Sequence, residues 1–83
     1  LTTSDFEAAV CAIVGETFPA ARGAVGRETT ADDVDGWDSL GHSILLTRLS
    51  TKLGIEIDEE LASRVQNVGE LIDALARVKF GHG

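Results

Sequence analysis

Apolar residues recur at intervals of three and four in three separate stretches of this chain. Nowhere do they alternate with polar residues for longer than Ile55-Glu56-Ile57. Such spacing puts a single apolar stripe on a helix, so the chain must fold as helices that bury their stripes against one another. The first stretch holds Phe6, Ala9, Val10, Ile13 and Val14. The second holds Leu45, Leu46, Leu49 and Leu53, and the third Val68, Leu71, Ile72, Leu75 and Val78. Ile55 to Ile57 reads as a short extended link, and no internal repeat or low-complexity tract is visible.

The ends of these helices are written in local chemistry. Ser4-Asp5-Phe6-Glu7 has the form of a capping box, and Pro19 should stop the first helix near Phe18, because the residue before proline avoids helical angles. Between Ala20 and Asp38 the periodicity disappears. Gly23, Gly26 and Gly36 punctuate a long loop carrying Arg22, Arg27, Asp32, Asp33 and Asp35. Loops of that length are uncommon in compact domains and often functional. Thr30 to Val34 could form one helical turn within it. Asp38 reads as an N-cap, Ser39 to Leu53 as the second helix and Gly54 as its stop. Asp58 can cap a brief third helix through Arg64 that buries Leu61 and Val65. Asn67 and Glu70 form another capping box ahead of the last helix, and Gly81-His82-Gly83 reads as a frayed end.

The expected architecture is therefore all-α: a four-helix bundle of three long helices and one short, with a long loop between helices one and two. The stripes of the first, second and last helices should pack together, with the short helix closing the side. Residues 1–83 form a single domain, its ordered core covering about residues 4–79.

Size and charge narrow the function. A domain of 83 residues buries only about 60% of its unfolded surface, leaving little room for a deep active-site cleft. Cys11 is the single cysteine, so no internal disulfide or cysteine zinc site is possible. That suits a reducing compartment and makes cytoplasm the default. Fourteen acidic residues against seven basic give a net charge of −7, which disfavours nucleic acid and anionic membrane surfaces as partners. It suits basic patches on other proteins. No signal peptide or membrane-length apolar run is present, and a start at Leu1 without any Met implies a processed product or a domain trimmed from something longer.

The informative segment is Asp35-Gly36-Trp37-Asp38-Ser39-Leu40-Gly41-His42. Ser39 falls in the first turn of a helix, where backbone N–H groups lack intrahelical partners and the partial positive charge favours an attached phosphate. Asp-Ser at a helix start is also an ordinary cap, so the tripeptide alone decides nothing. Ser39, His42 and Asp38 contain the residue types of a catalytic triad. Adjacent helical positions rarely give its geometry, and His42 lies on the inward side of the helix, where a packed, hydrogen-bonded histidine is expected. Asp33-Val34-Asp35-Gly36 matches part of a calcium loop but fails at both ends, at Ala31 and His42. Cys11 reads as a small core hydrophobe. Trp37 could contact whatever Ser39 carries or anchor the loop on the bundle. Gly41 weakens its helix by up to about 1 kcal/mol relative to Ala, and either grants access to Ser39 or is simply tolerated.

Taken with its surroundings, the segment resembles the acyl carrier protein family. Asp38-Ser39-Leu40 opens the second helix, Leu-Gly-Ile-Glu-Ile follows at 53–57, and then come an acidic short helix and a capped last helix. The resemblance extends from about Asp5 to Leu75, and Trp37-Asp-Ser-Leu-Gly-His42 is more similar to discrete carriers of specialised pathways than to the fatty-acid type. It implies that Ser39 receives 4′-phosphopantetheine from coenzyme A through a magnesium-dependent phosphopantetheinyl transferase. The arm would hold an acyl group as a thioester for loading and processing enzymes such as a ketosynthase or acyltransferase. On this reading the protein is a monomeric carrier and not an enzyme. Gly41-His42-Ser43 also resembles the signature of peptidyl carrier domains, which would move attachment to Ser43. Spacing favours Ser39, since Ser43 falls inside the helix where N–H groups are already bonded. A peptidyl or aminoacyl carrier, or a non-catalytic helical interaction domain, remain the alternatives. The family's second helix usually exposes several glutamates, whereas this one presents Ile44, Ser50 and Thr51 with Arg48 and Lys52. Partner docking is therefore expected at Leu40 and Ile44, guided by Asp35, Asp38, Glu59 and Glu60.

Overall fold

Helix α1, Thr3–Thr17, starts one residue before the expected cap, so Ser4 lies within its first turn together with Asp5. The computed structural model describes residues 3–81. The expectations for the Leu61 side chain and for His82-Gly83 lie outside the described residues. α1 ends where Pro19 demands it: Phe18 leaves helical geometry at φ −123°, ψ 84°, and Pro19–Ala21 forms a short 3-10 turn. A second such turn, Ala31–Asp33, falls where one helical turn was expected, with the Thr30 N–H donating to Asp33 Oδ2 at 3.1 Å.

Helix α2 spans Ser39–Leu53, the expected range. Asp38 caps it by accepting from the Gly41 N–H at 2.8 Å, and Gly54 ends it at φ 67°, a left-handed geometry that costs glycine little. The short α3, Glu59–Ser63, follows Asp58, whose carboxylate accepts from the Glu60 N–H at 2.9 Å. It stops one residue before the expected Arg64. Helix α4, Val68–Phe80, is capped by Asn67, which accepts from the Glu70 N–H at 2.8 Å. The return bond of that cap is displaced by one residue, because Glu70 Oε1 accepts from Gln66 rather than Asn67. Among the described residues the fold is all-helical, without a strand.

The predicted stripes meet in one core. Phe6, Val10, Ile13 and Val14 of α1 pack with Leu45, Leu46 and Leu49 of α2 and with Val68, Leu71, Ile72 and Leu75 of α4. α1 is the shared neighbour of α2 and α4, and α3 leans on α4. Val78 departs from its stripe and is 40% exposed. Phe80, rather than Val78, closes the contact with α1, meeting Phe6 edge-on at 5.5 Å.

The long loop is tied to the bundle by its backbone. The Val68 N–H donates to Thr29 O and the Gly69 N–H to Arg27 O, each at 2.8 Å. These N–H groups open α4 and have no partner within the helix, so the loop caps α4 as α4 pins the loop. Glycine is required at 69, since a Cβ there would lie 2.9 Å from Arg27 O. The Arg27 guanidinium adds bonds to Glu7 of α1 at 2.9 Å and Asp73 of α4 at 2.9 Å, but these groups are solvent-exposed and contribute little energy.

The loop's other end meets α2 at Gly41, which is buried. A Cβ there would overlap the Gly36 carbonyl oxygen and lie 2.9 Å from Phe18 Cε1. Gly41 is therefore neither a concession nor an opening toward Ser39; it is the point where α2 can touch the loop.

Two stability outcomes follow. Leu49→Ala should lower unfolding free energy by about 2–5 kcal/mol, whereas exposed Thr51→Ala should change it by about 0.5 kcal/mol or less. Equal denaturant midpoints would mean that α2 faces the other way. Gly41→Ala should lose about 1–3 kcal/mol from overpacking, although alanine favours helix by about 1 kcal/mol. A more stable alanine variant would contradict the close approach.

Candidate functional site

Ser39 is the first residue of α2 and is exposed to solvent. It occupies the turn whose N–H groups give the helix start its partial positive charge. Just before it, Trp37 is half-buried and stacks on Phe18 with ring centroids 5.2 Å apart and planes 17° apart. Its indole Nε1–H donates to His42 Nδ1 at 3.0 Å, and the two rings lie nearly parallel at 6.3 Å. Phe18, Trp37 and His42 thus link the end of α1, the loop and the first turns of α2.

That hydrogen bond fixes the imidazole. An indole N–H can only donate, so Nδ1 is the acceptor and the neutral ring carries its proton on Nε2. Nε2 is buried and has no hydrogen-bond partner. Leaving a buried donor unpaired costs about 1–3 kcal/mol. His42 also lines a cavity of about 360 Å³, together with Trp37, Ser39, Ala62, Val65 and Gln66. The cavity lies between the start of α2 and the connection from α3 to α4.

The same bonds rule out the triad geometry. His42 Nδ1 accepts from Trp37 and so cannot donate to a carboxylate, and Asp38 Oδ1 is occupied by the Gly41 N–H. Among the described residues no group of three or more His, Cys, Asp or Glu side chains could hold a metal ion. Cys11 packs half-buried against the core, and its thiol pKa is raised, first by burial and then by the nearby Glu7 charge, with Arg27 opposing. No described helix is long and apolar enough to cross a membrane.

Of the residues expected at a docking surface, Leu40 is 71% and Ile44 44% exposed, one helical turn apart. Thr47 and Thr51 share that exposure, opposite buried Leu45 and Leu49. Asp35 and Glu59 are exposed. Asp38 and Glu60 are also exposed but engaged, Asp38 in capping and Glu60 with Arg64 at 2.6 Å. Sequence reasoning found the inward position of His42 but missed its bond to Trp37 and the cavity beside Ser39. The pairing depends on the loop carrying Trp37 back over α2, which helical spacing does not encode.

Neither a scan against protein-family models nor a search of curated proteins found a match. A search of solved structures found the holo acyl carrier protein of Geobacter metallireducens, determined by solution NMR. It superposes with a TM-score of 0.74 at 33% sequence identity, over 93% of this chain and 92% of that one. A likeness in both fold and sequence over nearly the whole of both molecules is that of relatives, and this chain belongs to the acyl carrier protein family.

Proposed function

We propose that this protein carries acyl-type intermediates on a 4′-phosphopantetheine arm attached to Ser39 and presents them to biosynthetic enzymes. The observation that carries this reading is the exposed Ser39 hydroxyl in the first turn of α2, in a chain with this family's fold. The residues present suit such an arm. The helix start favours a phosphodiester on Ser39, Asp38 holds that turn in shape through the Gly41 N–H, and a cavity that Ser39 itself lines adjoins it. When bound, the arm supplies a thiol that holds an acyl group as a thioester. The protein's own contribution is tethering and recognition, which raise the effective concentration of cargo at each docked enzyme.

On this account the chemistry belongs to visiting enzymes. A phosphopantetheinyl transferase uses coenzyme A and magnesium to modify Ser39, and loading or condensing enzymes such as an acyltransferase or ketosynthase follow. Leu40 and Ile44 are the apolar docking contacts, worth about 1.5–3 kcal/mol each when fully covered. Asp35, Asp38, Glu59 and Glu60 guide approach. The carrier acts as a cytoplasmic monomer, a single domain over residues 1–83, with the short Glu59–Ser63 segment as the third helix of four.

Incubation with coenzyme A, magnesium and a broad-specificity phosphopantetheinyl transferase should add the phosphopantetheine mass to the wild type and to Ser43→Ala. It should add nothing to Ser39→Ala, which should keep full helicity by circular dichroism. Loss of the increment in Ser43→Ala alone would place the arm one turn later. In binding kinetics with a partner enzyme, Ile44→Ala should mainly raise the dissociation rate, and Glu59→Gln should mainly slow association at low salt. An Ile44→Ala variant that melts early but binds normally would assign Ile44 to the core.

A further inference from the structure

We propose that the outer face of α2 docks a protein surface that is acidic as well as apolar, whose carboxylates meet Arg48, Lys52 and Arg22 beyond the contact at Leu40 and Ile44. The inference rests on the carrier reading and deepens it by naming the chemistry of the partner's surface. Leu40, Ile44, Arg48 and Lys52 follow at intervals of four, each one turn beyond the last, and all four are exposed. At about 1.5 Å per residue, Arg48 stands about 12 Å along the helix from Leu40. α2 contains no Asp or Glu, in a chain with fourteen of them against seven Lys and Arg. The line therefore runs from apolar to positive.

Arg22 joins from the loop, lying against α1 at Gly15, where an added Cβ would stand 3.4 Å from the Arg22 Cα. One carboxylate sits among these cations. Glu16 accepts from Lys52 at 2.8 Å, and its pKa is lowered first by that hydrogen bond and then by the Lys52 charge, with Arg48 and Arg22 adding to it. Three cations around one carboxylate make a positive patch on a protein of net charge −7. Local structure does not account for it. Arg27 and Arg64 are engaged by carboxylates, and Lys79 by the Leu53 carbonyl. Among the described residues the side chains of Arg22 and Arg48 have neither a hydrogen bond nor an ion pair. Lys52 lies in the last turn, where positive charge complements the helix end, but Arg48 precedes that turn. The patch continues an exposed apolar pair, which suits a protein, whereas the net charge repels nucleic acid and anionic membranes. Asp35 and Asp38 give the other end of α2 the opposite sign, so the two ends fix which way round a partner sits.

The test uses ¹⁵N-labelled full chain with the arm installed enzymatically, its mass confirming the load. It is titrated at low salt with a synthetic amphipathic peptide of leucine and glutamate, and separately with a leucine–lysine counterpart. The leucine–glutamate peptide should shift the Ile44, Arg48, Lys52 and Arg22 amide signals saturably, and the leucine–lysine peptide should leave Arg48, Lys52 and Arg22 fixed. Arg48→Glu and Arg22→Glu should each weaken binding of the acidic peptide about three- to tenfold, and Glu16→Gln should tighten it. Arg77→Glu makes the same change in net charge on the exposed side of α4 and should alter binding by about twofold or less. With an acyltransferase or ketosynthase active on the loaded protein, Arg48→Glu should lower kcat/KM by a similar factor, and high salt should erase the difference. Absent or scattered shifts, or a kcat/KM that is unchanged or raised in Arg48→Glu, would overturn the inference and leave the carrier reading standing. So would cosedimentation with phosphatidylglycerol vesicles that Arg48→Glu abolishes, which would assign the patch to a lipid surface. A protein that gains no phosphopantetheine mass overturns both readings.

Discussion

At Gly41 the backbone of α2 lies against the Gly36 carbonyl and the Phe18 ring with no room for a side chain. That approach lets the loop turn tightly into the helix, with Gly36 at φ 90° in a conformation glycine adopts readily. It brings Trp37 onto Phe18, and Trp37 in turn holds His42. Ser39 stands between these anchors, at the end of a helix whose inner face is locked by Leu45 and Leu49. An exposed serine is thereby fixed at the start of a packed helix rather than left on a loop.

The long connection between α1 and α2 would carry a large conformational-entropy cost if it were loose. It is held in place instead. Two 3-10 turns shorten it, Ala21 and Val34 are buried, and its Arg27 and Thr29 carbonyls cap α4. The loop is thus a structural element that joins α4, α1 and the start of α2. Its acidic side chains remain outward, giving charge near Ser39 without charge in the core.

The helices and their core faces were legible in the sequence because periodicity and caps are local. Asp38, Gly54, Asp58 and Asn67 all act at the helix ends where they were expected. The start of α1 at Thr3 falls one residue ahead of the expected cap at Ser4, within the one or two residues to which a helix end is defined. Val78 obeys the spacing yet lies half in solvent, since period alone does not say where a neighbouring helix stops providing cover. The place of Ser39, exposed in the first turn of α2, was legible from the Asp38 cap that sets where the helix starts. The roles of Gly41, Gly69 and the Trp37–His42 pair were not, because each depends on a contact with a loop whose path has no periodic signal.

The central claim is that the family's covalent chemistry falls on Ser39. Trypsin should release the segment 28–48, cut after Arg27 and Arg48, which contains both Ser39 and Ser43. Fragmentation of that peptide from the enzymatically modified protein locates the added group directly. The account predicts the phosphopantetheine mass on every N-terminal fragment that includes Ser39, even those ending before Ser43. Its appearance only on N-terminal fragments that extend through Ser43, or its absence from the peptide, would contradict it.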